Sequence, residues 1–460
     1  MDETGTISLH LTCTPGVSAI RPTNSPRLVY YLIDIECAGA KPRVPGYVVL
    51  LIDCSESMRI RLVTPEQFRL LAGTGSLVEV MTDGVPAWQV KNISPEMMAR
   101  LQSRMDFVIE AMNQFGEQLS AQDYYSVVGF GGKAVLLAAD TPGSDRQPLQ
   151  QVIGQLAAIS LGDETFLADG LRLALEQVHR RNHAGLAHRI VLLTDGFTGD
   201  VARCYALADQ ARKAHIPVTT MGVGAEFNEG LLIPLADRTG GRAYYIDQLE
   251  TLPKIFAQEA RAALSVLFRN LDLHIQPAPG VSLRRMARVS PEMGRLDLSP
   301  NGDGVYGAYL GDYPQGGHIE LLLELVIDAP LRLGEQSLAE LALGFEDPQH
   351  QGTQSLQARA EVIVAQGIDE QVSEPVARAV QKVTAFQVGS RVLEEARNLP
   401  PGEAAGRLQQ AAVRLAELGE QGLAEQMARQ AEDLLRLGKM DARATKRLIY
   451  ETRRITEPLK

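Results

Sequence analysis

Apolar positions divide the chain into three stretches with different periods. Between Tyr47 and Phe268, short runs that are apolar throughout alternate with helical stripes. The runs YVVLLID, RIVLLTD, PVTTMGVG and RAYYI predict buried strands. Between them lie helical patterns: PEMMARLQSRMDFVIEAMNQFGEQL, LADGLRLALEQVHR, ARCYALADQARKAH, a short one near EGLLIPLADRT, and LPKIFAQEARAALSVLF. In the first of these, Met98, Leu101, Met105, Val108, Ile109, Met112 and Phe115 share one side. DYYSVVGFGGKAVLLAA reads as a hairpin turning at Gly131-Gly132. Buried strands alternating with amphipathic helices predict an α/β fold, a doubly wound and mostly parallel sheet covered on both faces. In such sheets ligands bind beyond the carboxyl ends of the strands.

The flanks have another rhythm. Residues 1–44 and 269–366 contain short runs such as RLVYYLIDIEC, GHIELLLELVI and SLQARAEVIVA, separated by turn residues. They predict an antiparallel β-sandwich, with the N-terminal strands completing the later sheet and the α/β domain, 45–268, inserted between. Residues 367–460 turn helical. Gly419 and Gly438 stand where helix C-caps belong, and Pro400-Pro401 ends the first helix.

Composition narrows the class. The 460 residues are 45% hydrophobic and 22% charged, as in soluble globular proteins. A net charge of −11 argues against nucleic acid as a partner. The start, MDETGTISLHLTC, has neither the basic nor the apolar region of a signal peptide. No apolar run reaches the ~20 residues that span a bilayer, so no membrane role is expected. Cys13, Cys37, Cys54 and Cys204 are scattered and form no zinc spacing; reduced thiols in a cytoplasmic protein are the expectation.

The chemistry starts at the end of YVVLLID. Asp53, Ser55 and Ser57 place three oxygens in one turn after a buried strand. Asp195 follows the strand RIVLLT, and Thr165 precedes a helix. Two carboxylates and three hydroxyls suit a hard divalent cation: Mg2+ first, with Mn2+ or Ca2+ as alternatives. The set carries too little charge to enclose the ion fully. It leaves exchangeable water and room for a partner's carboxylate.

Other features read as structural. Asp163 and Glu164 are expected as solvated loop charges, Thr194 as the end of a strand, and Asn301–Gly304 as a turn. Cys54 has no histidine placed to serve it, and neither HExxH nor a GxxxxGK[ST] phosphate loop occurs. The basic stretch from Lys439 to Lys460 is expected as a solvated helix face.

The order Asp53-x-Ser55-x-Ser57, then Thr165, then Asp195 resembles the von Willebrand factor type A domain and its metal-ion-dependent adhesion site. That resemblance implies that Ser55, Ser57 and Thr165 are the hydroxyl ligands and Asp53 and Asp195 the carboxylates. It implies metal-dependent protein binding, not catalysis. The whole plan is similar to bacterial inter-alpha-trypsin-inhibitor heavy-chain-like and calcium-activated-chloride-channel-like proteins. Two features depart from the family. Glu56 stands where a small residue is usual. Residues 59–94 intervene before the first helix, with a capping-box start at Thr64 and Gln67, a hairpin turning near Asp83-Gly84, and Trp88. The expected function is recognition of a Glu or Asp on a partner protein through the metal. The alternative is an intracellular scaffold or regulatory subunit for an AAA-type ATPase or a kinase/phosphatase system, with the metal structural. Metal-assisted hydrolysis is the third class, with Glu56 as the only available base.

Overall fold

The computed structural model describes residues 8–22, 25–39, 43–63, 65–82, 85–91, 93–94, 101–181, 185–224, 226–296, 298–328, 330–347 and 352–454. At its centre lies a six-stranded sheet in the order Ala243–Ile246, Val218–Val223, Ala187–Thr194, Gly46–Asp53, Tyr124–Phe130, Ala134–Pro142. The first five strands are parallel; the sixth returns antiparallel through the Gly131-Gly132 turn. Strand order reverses at Gly46–Asp53, whose neighbours on both sides come later in the chain. The crevice between its end and that of Ala187–Thr194 is therefore a topological switch point, the place where doubly wound sheets bind ligands.

The period-2 alternation of Gly46–Asp53 feeds two cores. Val48, Leu50 and Ile52 pack with Val108, Met112 and Phe115 on one face. Tyr47, Val49 and Leu51 pack with Leu171, Ala174 and Leu175 on the other. All of these side chains leave water, so the strand is held without any exposed face.

Three local expectations change. The helix read from Pro95 begins at Arg104 and runs Arg104–Gln118. Ser103 caps it, and Asp106 answers with the reciprocal bond of a capping box. Ser103 itself is extended and bridges Arg61, and Leu62 N donates to Gln102 O; residues 95–100 lie outside the described residues. Met98 lies outside the described residues. A helix absent from the sequence reading, Gln147–Ala158, buries Leu149, Val152 and Leu156 behind a Pro in its first turn. The basic tail is not a solvated face: in the helix Ala442–Arg453, Lys446 pairs with Glu229, Arg447 with Asp247 and Arg453 with Asp237 of the α/β domain. Tyr450 is buried there beside Phe227 and Tyr245.

The sandwich has two five-stranded sheets. One runs Ser8–Pro15, Arg27–Ala38, Ile319–Ile327, Val281–Ser290, Gly294–Leu296; the other runs Tyr306–Pro314, Val266–Pro277, Gly334–Glu346, Thr353–Val364, Ala19–Ile20. Strands from both ends of the α/β domain therefore share sheets. Tyr31, Ile33, Leu321 and Leu323 face Leu271, Leu273, Leu341 and Leu343 in one core. The chain enters and leaves the α/β domain at one point, where Val44 N donates to Val266 O (2.8 Å). Arg43 locks this junction, donating to both carboxylate oxygens of buried Asp123 (2.7 Å each) and to Leu264 O.

The helices Glu374–Ala396, Pro401–Glu417, Gln421–Leu437 and Ala442–Arg453 form the C-terminal region. The first lies on the sandwich through Val376, Ala379 and Val383. Asn301–Gly304 is a turn closed by the Asn301 side chain, which accepts from the amides of Asp303 and Val305. Among the described residues, no helix is long and apolar enough to cross a membrane.

Candidate metal centre

The two strand ends at the switch point carry the candidate ligands. Asp53 is fully buried; its Oδ1 accepts from Ser55 N (3.0 Å) and its Oδ2 from Thr194 Oγ1 (2.6 Å). Ser55 Oγ lies 3.0 Å from Ser57 Oγ, and Ser57 Oγ donates to Asp195 Oδ1 (2.7 Å). Both serines are presented by the tight turn that starts the single helical turn Glu56–Arg59. Asp53, Ser55, Ser57 and Asp195 thus form one hydrogen-bonded chain.

Thr165 approaches across Gly196. A methyl group added there would meet Thr165 Oγ1 at 3.1 Å and Asp53 Oδ2 at 3.8 Å. The absence of a side chain at Gly196 keeps this wall open. The Thr165 loop is held from behind: Thr198 Oγ1 donates to Thr165 O (2.7 Å), and Asp200 accepts from Ala168 N at the start of the Leu167–Arg180 helix.

Two contributors were missed or underread in the sequence. Thr194 does finish its strand, and its hydroxyl also orients Asp53 while accepting from Gly196 N (3.2 Å). Arg104, at the first turn of its helix, donates to Asp195 Oδ2 and Ser57 O, while its other nitrogen reaches exposed Glu226 (2.8 Å). The capping box at Ser103 and Asp106 was the available signal. It fixes where the helix starts, and so which side chain leads it into the crevice.

Electrostatically the centre is short of positive charge. Burial pushes the carboxyls of both Asp53 and Asp195 up; hydrogen bonds from Thr194, Ser55 and the Asp195 amide oppose this at Asp53, and at Asp195 Arg104 opposes it while the charge of Asp53 adds to it. Arg104 compensates one acid. Asp53 has no cationic partner among the described residues. A buried carboxylate without a cation is costly, and here it sits among hydroxyls. These residues fit a hard divalent cation.

Glu56 turns away from this chain: exposed, it accepts from Ser160 Oγ (2.9 Å). Asp163 and Glu164 are exposed in the Thr165 loop. Cys54 is buried, which pushes its thiol up to about 12, and an uncharged thiol is no nucleophile. The insert forms the helix Pro65–Gly73 and a hairpin, Leu77–Thr82 with Val85–Val90. Thr64, Asp83, Gly84 and the Trp88 side chain lie outside the described residues. Leu62, Val63 and Gln67 of the insert line a groove with Arg104, Leu249 and Arg443 of the last helix, so insert and helical region border one groove beside the centre.

Comparison with known proteins agrees with this fold. A family model of the von Willebrand factor type A domain matches residues 92–245, and one of the Sll0103-like C-terminal alpha-helical domain matches residues 374–458. The first match begins at the end of the insert, after the Asp53–Ser57 turn. The protein sll0103 of Synechocystis sp. is 26% identical over 282 residues, 60% of this chain and 62% of that protein. YfbK of Escherichia coli is 26% identical over 242 residues, 51% of this chain and 40% of YfbK. The chain thus spans less than two thirds of these curated relatives. Among solved structures, a von Willebrand factor type A protein from Catenulispora acidiphila superposes with a TM-score of 0.76 at 14% identity, covering 100% of this chain and 99% of that one. The ArnB paralog VWA2 from Sulfolobus acidocaldarius does so at 0.57 and 14%, covering 98% of each chain.

Proposed function

We propose, for a chain built on a von Willebrand factor type A domain with an Sll0103-like helical domain, that it is a non-enzymatic, cytoplasmic, metal-dependent protein-binding module. Asp53, Ser55, Ser57, Thr165 and Asp195 would hold Mg2+. When bound, the ion supplies a fixed positive charge with an exchangeable position that a partner's Glu or Asp can take. One observation carries this reading: Asp53 is fully buried among hydroxyls, and no cation among the described residues stands beside it. Specificity would come from the rim, where Phe197 is 62% exposed and the insert borders the groove.

A second reading has its own support. The segment after Glu226 touches both the centre and the helical region: Glu226 holds Arg104, Phe227 O accepts from Lys446, and Glu229 pairs with Lys446 and Arg397. A regulatory subunit that docks through its helices, with the metal as a structural element, would use this link.

Titration calorimetry with Mg2+ and Mn2+ tests the first reading against a Ser55→Ala/Ser57→Ala variant. Saturable binding that disappears in the variant supports it, and partner capture that requires Mg2+ completes it. Capture that survives the variant but not removal of the helical region favours the second reading.

A further inference from the structure

The sandwich carries a second cluster of potential ligands. The outer face of its first sheet changes character along its length. Leu32 and Leu322, opposite each other, are covered by the Glu374–Ala396 helix. One step along the same face, Asp34 stands directly opposite Glu320, and Glu36 follows. Like charges directly opposite destabilise an antiparallel pair. Among the described residues, no Lys or Arg forms an ion pair with these three carboxylates. The group that faces Asp34 and Glu36 is an imidazole: His318 Nε2 lies 3.3 Å from Asp34 Oδ1 and 3.4 Å from Glu36 Oε1. Asp34, His318 and Glu320 each place a ligand atom within 4.8 Å of the other two. Asp34 is half-buried; burial raises its carboxyl above its ordinary value, His318 opposes this and Glu36 adds to it. Arg378 and Lys382 line a groove on the helix side of Glu320 without pairing with it.

We propose that Asp34, His318 and Glu320 bind a borderline divalent cation, Zn2+ before others, with Glu36 beside the open side and solvent completing the shell. One imidazole nitrogen with two carboxylates suits Zn2+, whereas the oxygen-only centre at Asp53 suits Mg2+. Protons compete with a metal ion for imidazole and carboxylate ligands, so binding weakens in acid. The ion would tie Arg27–Ala38 to the strand at Ile319, joining residues 284 apart in the chain. It would act as a clip on the strand that closes the sandwich, and it does not depend on the function proposed above.

The test uses the full chain carrying Ser55→Ala/Ser57→Ala, so that the first centre does not contribute, or the wild type in saturating Mg2+ if that variant does not fold. Zn2+ calorimetry and thermal unfolding are followed with and without His318→Ala. The expected result is one saturable Zn2+ per chain, a rise in Tm with Zn2+, and at least a tenfold loss of affinity in His318→Ala, with Asp34→Asn as an independent second variant. No saturable Zn2+ binding in the folded background, or equal affinity with and without His318, overturns the proposal. Loss of Mg2+ binding in the serine variant reports on the first centre alone.

Discussion

Two regions of the molecule hold acids away from bulk water and treat them in opposite ways. Along the seam of the α/β domain with the sandwich and the last helix, three carboxylates held away from water each meet two cations. Glu259 faces Arg189 and Arg242, Asp237 faces Arg288 and Arg453, and Glu229 faces Lys446 and Arg397. At the switch point Asp53 meets hydroxyls and amides but, among the described residues, no cation, and Asp195 shares Arg104 with Glu226. Burial alone therefore does not separate a structural acid from a functional one. The counter-charge does: a closed pair is fixed, and an open one leaves room for a charge from outside the chain.

Breaking the seam has the largest effect. Asp237→Ala strands two buried guanidinium groups and lowers stability by about 3–5 kcal/mol, measured by denaturant unfolding, with Mg2+ affinity unchanged. Next comes Asp123, which carries the domain junction. Burial pushes its carboxyl up, but Arg43, the Gly46 amide and Ser120 pull it below its ordinary value. The stability it adds is full above the unfolded value near 4 and is lost as pH falls through the lower folded value. Asp123→Asn removes about 2–4 kcal/mol at neutral pH and flattens that acid limb. Arg104→Gln blurs the comparison by making Asp195 as bare as Asp53. We expect a metal-free loss of about 1–3 kcal/mol and, against it, Mg2+ binding tightened several-fold by calorimetry. The smallest effect is the sharpest test. Asp53→Asn changes metal-free stability by less than about 1 kcal/mol, because the cost of the buried charge goes with its hydrogen bonds, yet it abolishes the Mg2+-dependent rise in Tm. A loss of seam size in that variant would erase the distinction between the two regions.

The α/β alternation was legible because strands such as Gly46–Asp53 are apolar at every position, and only a sheet covered on both faces buries them so. The turn with Asp53, Ser55 and Ser57 was legible because polar residues end an apolar run abruptly. Arg104 was not, since its role depends on the insert: the bridge from Arg61 to Ser103 delays the helix start and brings that side chain to the crevice. The Gln147–Ala158 helix buries three leucine or valine side chains among many glutamines, a weak stripe. The basic tail misled for a simpler reason. Its partners, Glu229, Asp237 and Asp247, are some 200 residues earlier, and no local pattern announces such pairs.

The insertion of the α/β domain within the sandwich also sets an order of events during synthesis. Arg27–Ala38 leaves the ribosome early, but its neighbour Ile319–Ile327 emerges only 284 residues later, roughly 15–60 s at ordinary translation speeds. Until then the hairpin with Ser8–Pro15 has one strand edge without its partner, while the inserted domain can complete its own sheet. The last-made strands therefore find a waiting template, and a nascent chain halted between the two is exposed to pairing with its neighbours on the same message.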